Sequence, residues 1–235
     1  MGTSKGYIAP TRPEWSNAKR AVSTYLRSRD PETRAKAVSK YAEAMRTHGG
    51  ATSKTGTFGA SFSSTAGNVI SFARGLAENG LEKTLNQFGR DDLIGKSPES
   101  IIHDLLDQFT SHGSSIEDSL TLNAVSTAFN VLAIETPDDL AKMDLDAFLL
   151  ELVIAFVNNN FDLRFFEKIN RGRTPEETKA ILEDVHGYID GMLRNKLTQF
   201  KISSIDLSRM SSDKYVSEML DDALYTCMNI YGVEA

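Results

Sequence analysis

The sequence predicts an all-α protein, and three observations carry that prediction. Apolar residues recur at spacings of three and four through most of the chain, and strict alternation is nowhere sustained. Asp30-Pro31, Ser97-Pro98, Thr136-Pro137 and Thr174-Pro175 each set a capping residue before a proline. Proline fits the first helical position because its φ is already helical and the amide it lacks would have no partner there. Finally, Gly49-Gly50, Gly80 and Gly89 stand where apolar stripes end, as helix stops do. No internal repeat of fixed length is present.

Taken in order, residues 1–13 lack hydrophobic period and contain Gly6, Pro10 and Pro13, so they read as an extended, mobile N-terminal arm. A weakly amphipathic helix follows from Glu14 to Arg27. Asp30-Pro31-Glu32 starts the next, which carries Ala35, Val38, Ala42 and Met45 and reaches Thr47. Residues 48–59 form a Gly, Thr and Ser loop. A third helix runs from Ser61 to Glu78, and Leu81 to Phe88 makes a short one. Asp91 to Lys96 reads as a turn between two halves. Beyond it, helices open at Ser97, at Ser114 or Ser115, at Thr136, at Asp144, at Thr174 and at Ser212, the last running to Tyr231. The helix after Asp144 is the longest apolar one. These readings give three regions: the arm (1–13), a basic helical region with a Gly-rich loop (14–95), and a C-terminal helical bundle (96–235).

Composition bounds the function. The 235 residues are 40% hydrophobic and 25% charged, the profile of a soluble globular protein. Net charge is −6, yet residues 1–50 hold ten Lys or Arg against four Asp or Glu. A basic head on an acidic body suggests an electrostatic docking surface. Nucleic acid and an acidic protein partner would both use those charges, with Arg12, Lys19, Arg20, Arg27, Arg29, Arg34, Lys36, Lys40 and Arg46 available. Cys227 is the single cysteine, so no internal disulfide can form and a reducing cytoplasm is expected. No signal peptide is read in the first thirty residues. The most apolar stretch, Ala147 to Val157, is too short to span a bilayer and contains Glu151.

Catalytic and metal motifs are few. Gly49-Gly50-Ala51-Thr52-Ser53-Lys54-Thr55 resembles a phosphate loop only loosely, with Ser53 before the lysine and His48 where the leading glycine belongs. His48, His103, His112 and His186 include no pair at metal-binding helical spacing. Asp91-Asp92, Asp138-Asp139 and Glu176-Glu177 flank helix starts, where carboxylates favour the helix dipole. Asp221-Asp222 reads as a solvated face, and Cys227 as a buried structural thiol. The expectation is a protein without catalytic residues, metal site or intrinsic cofactor.

The arm carries the sharper chemistry. A small residue after Met1 lets an aminopeptidase expose the Gly2 amine. An α-amine titrates near ~7.8 against ~10.4 for lysine, so roughly a tenth of it is nucleophilic at neutral pH. Glycine adds no side chain to obstruct a narrow pocket. Gly6 stands where N-myristoylation would want Ser or Thr, which argues against a lipid anchor. Trp15, the only tryptophan, either pins the start of the body or contacts a partner.

Met1-Gly2-Thr3-Ser4, the proline-containing arm, Trp15, and Gly49-Gly50 ahead of a small-residue helix together resemble the QatB family. Gly80-Leu81 with Leu85, Leu93-Ile94-Gly95-Lys96-Ser97-Pro98-Glu99, and the apolar helix near Phe148 to Phe156 extend the likeness. It covers most of residues 1–170 and thins beyond. The arm departs from many relatives at Lys5 and Tyr7. The resemblance implies a non-enzymatic component of a bacterial anti-phage system that also encodes an ATPase (QatA), a QueC-like enzyme (QatC) and a TatD-like nuclease (QatD). It further implies that Gly2 accepts a 7-deazaguanine through an amide, with Thr3 and Ser4 as recognition residues. Lys5, Trp15, Lys19 and Arg20 are the remaining expected partner-recognition positions. The competing expectation is an unmodified helical scaffold of the same assembly.

Overall fold

The computed structural model describes residues 13–49, 59–109, 115–198 and 212–229, and these form ten α-helices with no strand among them. They are α1 (Pro13–Ser28), α2 (Pro31–Gly49), α3 (Ala60–Asn79), α4 (Leu81–Gln87) and α5 (Pro98–Phe109). Then come α6 (Ile116–Val131), α7 (Pro137–Ala141), α8 (Leu145–Asn170), α9 (Pro175–Leu197) and α10 (Ser212–Met228). A 3₁₀ turn at Asp91–Leu93 occupies the expected joint. The all-α expectation holds, and boundaries move by one to three residues where they can be compared, most at the end of α10, which stops at Met228 rather than Tyr231.

Local chemistry sets the starts. Thr136 accepts the Asp139 amide and Thr174 the Glu177 amide, and each acid reaches back to the capping residue's own N–H. Ser115 and Asp118 make the same reciprocal pair, which selects Ser115 over Ser114 as the opener of α6. Asp30 accepts from the Thr33 amide at 2.8 Å, and Asp144 from those of Asp146 and Ala147. At the start of α3 the caps come from another helix. Glu117 accepts from the Ser61 amide at 3.1 Å, and Asp118 accepts from the Ser61 hydroxyl. Gly59 before it has φ +84°, and a Cβ there would stand 3.0 Å from the Leu220 side chain.

One apolar core runs through the molecule and crosses the joint at residue 95. Trp15, Val22 and Tyr41 from the first half belong to it with Phe148, Phe161, Val216 and Leu224 from the second. Helix α10 packs on α2 and α3, α6 packs on α3 and α8, and α8 also meets α1 and α9. Phe161 and Phe165 stand edge-on to Tyr41, with ring centroids 5.3 and 6.1 Å away. The Tyr41 hydroxyl donates to the Val157 carbonyl at 2.9 Å, so its polar tip is satisfied in a dry environment. Interiors of this kind stabilise mainly by removing apolar area from water. Among the described residues no helix is long and apolar enough to cross a membrane.

Candidate functional site

Gly2, Thr3, Ser4 and Lys5 lie outside the described residues, as do Gly50 to Phe58 of the Gly-rich loop and His112. Helix α2 rather than a strand precedes that loop. Trp15 corrects one expectation. It is only 2% exposed and packs in the core, with the Arg164 guanidinium over its ring at 4.8 Å, so it pins the body and offers a partner no surface.

Several cations of the basic head are consumed internally. Arg34 of α2 pairs with Asp184 of α9, which also accepts from the Tyr25 hydroxyl of α1; the guanidinium lies 4.7 Å from the Tyr188 ring. Arg46 makes two 3.0 Å bonds to Asp221 and sits over Tyr225. Asp221 therefore ties α2 to α10, and only Asp222 keeps the solvated role expected of both. The reason is tertiary: docking α10 on α2 turns an exposed acid into the counter-charge of a partly buried arginine. Lys40 pairs with Glu43, three residues along the same helix.

The charge that stays unbalanced gathers elsewhere. Between α1 and the last turns of α8 lies a cleft of about 830 Å³. Lys19, Ser23 and Arg27 recur every fourth residue along α1 and form one wall. Arg164, Lys168 and Arg171 follow helical spacing on α8 and its end, and Arg173 lies just beyond. Leu26, Leu163 and Phe165 give the cleft an apolar lining, and Glu167 is the one carboxylate among the described lining residues. Among the described residues the cleft thus sets six cations against one acid, in a protein of net charge −6.

The electrostatics show the crowding. Burial lowers the proton affinity of Lys168, and the positive charges of Arg171 and Lys19 lower it further. Burial also lowers that of Arg164. Two of the six are held in place: Arg164 by stacking on Trp15, and Arg173 by a 2.7 Å bond to the Ile169 carbonyl. Among the described residues no ion pair neutralises Lys19, Arg27, Lys168 or Arg171.

Lys19 and Arg20 therefore part company. Lys19 lines this cleft, whereas Arg20 lines a second depression with Asn17, Thr24, Asp30, Lys36 and Lys40, where acids dilute the charge. Sequence reading missed Arg164, Lys168, Arg171 and Arg173, because they lie in the acidic portion of the chain. Their spacing was a usable signal, but only α1 beside α8 makes it a cleft.

Other chemistry is sparse. Cys227 is fully buried and its thiol is pushed up to about 12 by burial, which leaves it protonated and unreactive. His186 contacts Asp162 at 2.7 Å, joining α9 to α8, and His103 is exposed. Among the described residues no group of three or more His, Cys, Asp or Glu could hold a metal ion.

Fold and cleft together define an all-α protein with a cation-lined groove between α1 and the end of α8. The family model for the Qat anti-phage system associated protein QatB matches residues 49–227, and the chain belongs to that family. The matched range runs well past residue 170, where the sequence likeness thins, and leaves the arm, α1 and most of α2 outside it. No curated protein and no solved structure matches the chain.

Proposed function

We propose that this protein is a non-enzymatic component of the anti-phage system whose Gly2 amine, exposed after Met1 removal, accepts a 7-deazaguanine from the QueC-like enzyme QatC. The helical body is the docking module and the arm supplies reach. The amine nitrogen attacks the ATP-activated carboxyl carbon of the base. A C–N amide bond forms, the activating group departs, and the nitrogen gives up its proton. Thr3 and Ser4 present the amine, and Lys5, Lys19 and Arg20 add charge near the arm. QatA and QatD are the further expected members of the assembly, in the cytoplasm of a bacterium.

Family membership together with the Met1-Gly2-Thr3-Ser4 start carries this reading. The unprotonated fraction of an α-amine near pH 7 favours it over lysine as nucleophile. Helix α1 begins at Pro13, so the eleven residues from Gly2 to Arg12 can span at most about 40 Å when extended.

Intact-mass spectrometry of the chain co-expressed with QatC tests it. The expected outcome is loss of Met1 and gain of one acyl-linked base, abolished in Gly2→Pro and strongly reduced in Gly2→Ala. A chain that shows methionine loss alone would leave the unmodified scaffold as the better account.

A further inference from the structure

We propose that the cleft between α1 and the end of α8 binds single-stranded nucleic acid through its phosphates, with Lys19, Arg27, Lys168 and Arg171 as the contacting cations. Acceptance of a base at Gly2 does not depend on this.

The cleft is a concave trough with cations on both walls. Lys19, Ser23 and Arg27 span eight residues of α1, or about 12 Å at 1.5 Å per residue. Arg164 to Arg171 covers a similar length along the facing wall. A trough this size admits one strand between its walls. A duplex presents its phosphates on a convex surface far wider than the cleft, so it meets one wall only. The arginines supply planar forks that match phosphate oxygens in pairs. Stacking on Trp15 holds Arg164, and the Ile169 carbonyl holds Arg173, so part of the wall is ordered before anything binds.

What the cleft lacks also defines the ligand class. Among the described residues its lining offers one carboxylate and no asparagine, glutamine or exposed aromatic ring, and its arginines are the groups that suit phosphate best. Recognition is therefore of the backbone, independent of sequence, with Leu26 and Leu163 against sugars. An acidic peptide is the alternative polyanion. Either polyanion would relieve the repulsion of Arg171 and Lys19 on Lys168. A carboxylate desolvated against Leu26 and Leu163, however, regains its proton far more readily than a phosphodiester, a much stronger acid, so phosphates keep their charge in this cleft.

The test is fluorescence anisotropy of the full chain with a labelled mixed-sequence 12-nucleotide single strand. With about four phosphates neutralised, affinity should fall about 50-fold between 50 and 200 mM salt, at a slope near −0.7 per phosphate. Lys168→Glu with Arg171→Glu should weaken binding at least tenfold, with helical content unchanged by circular dichroism. Arg20→Glu, on the other side of α1, should stay within about twofold. The idea fails if the strand does not bind at 50 mM salt, or if the double variant binds like the parent. It fails equally if oligoglutamate of matched charge competes as well as the oligonucleotide, which would make the cleft a seat for an acidic protein.

Discussion

Gly75 shows how little room a single residue can have in this fold. A Cβ at that position of α3 would stand 2.8 Å from the Thr84 methyl of α4 and 3.2 Å from its hydroxyl. Thr84 is itself fully buried and donates to the Gly80 carbonyl at 2.7 Å, so it cannot swing aside. Gly75→Ala should therefore destabilise by about 1–3 kcal/mol through overpacking. Gly191 of α9 is the opposite case, with nothing within 4 Å of the added carbon. Gly191→Ala should stabilise by about 0.5–1 kcal/mol, the entropy saved in the unfolded chain. Urea midpoints of the two variants check the pair, and a shift of the same sign in both would contradict the packing described. Both glycines look alike in sequence, each inside a helical pattern, and only the neighbouring helix separates them.

Helix α9 shows how an element is specified at its ends and placed by its faces. Thr174, Pro175 and Glu177 make a reciprocal cap whose bonds measure 2.9 and 3.2 Å. Thr174→Ala should cost about 1 kcal/mol, read as a lower thermal midpoint, whereas Thr174→Ser should stay close to the parent. Ile181, Val185, Ile189 and Leu193 bury one face of α9. Asp184 reaches Arg34 of α2 from the flank, and Arg194 reaches Glu151 of α8 with a 2.8 Å second bond and Asp190 at 2.9 Å. The cap and the apolar stripe were legible in the residues. The cross-helix ion pairs were not, since Arg34 and Asp184 lie 150 residues apart. Helix α1 behaves the same way: its charges read as one basic segment, and its packing sends Lys19 and Arg20 to different surfaces.

At the scale of the whole molecule, Trp15 near the beginning and Cys227 near the end share a single core. Urea unfolding followed by tryptophan fluorescence and by thiol labelling should give coincident transitions, as expected when one cooperative unit melts. Two separated midpoints would show that the regions either side of residue 95 melt independently. The thiol also sets a pH dependence. Burial raises its folded value to about 12 from an ordinary value of 9.0. Below pH 9 both states keep the proton and its contribution to stability is intact. Between pH 9 and 12 the unfolded thiol ionises and the folded one does not, so stability falls as pH rises. Cys227→Ser titrated alongside should lose this part of the alkaline decline.

By itself the sequence determined the helical class, nearly every helix start, the core stripe of most of the longer helices and the burial of Cys227. Each of these depends on residues within a turn or two of one another, so the information is local. It also carried the order of short motifs from which the QatB family could be recognised. Tertiary structure decided which charges survive at the surface. Packing α2 against α9 and α10 spent Arg34 and Arg46 on Asp184 and Asp221, and packing α1 beside α8 assembled Lys19 and Arg27 with Lys168 and Arg171. A charge acts through whatever stands within a few ångströms of it, and for these residues those neighbours come from more than a hundred positions away.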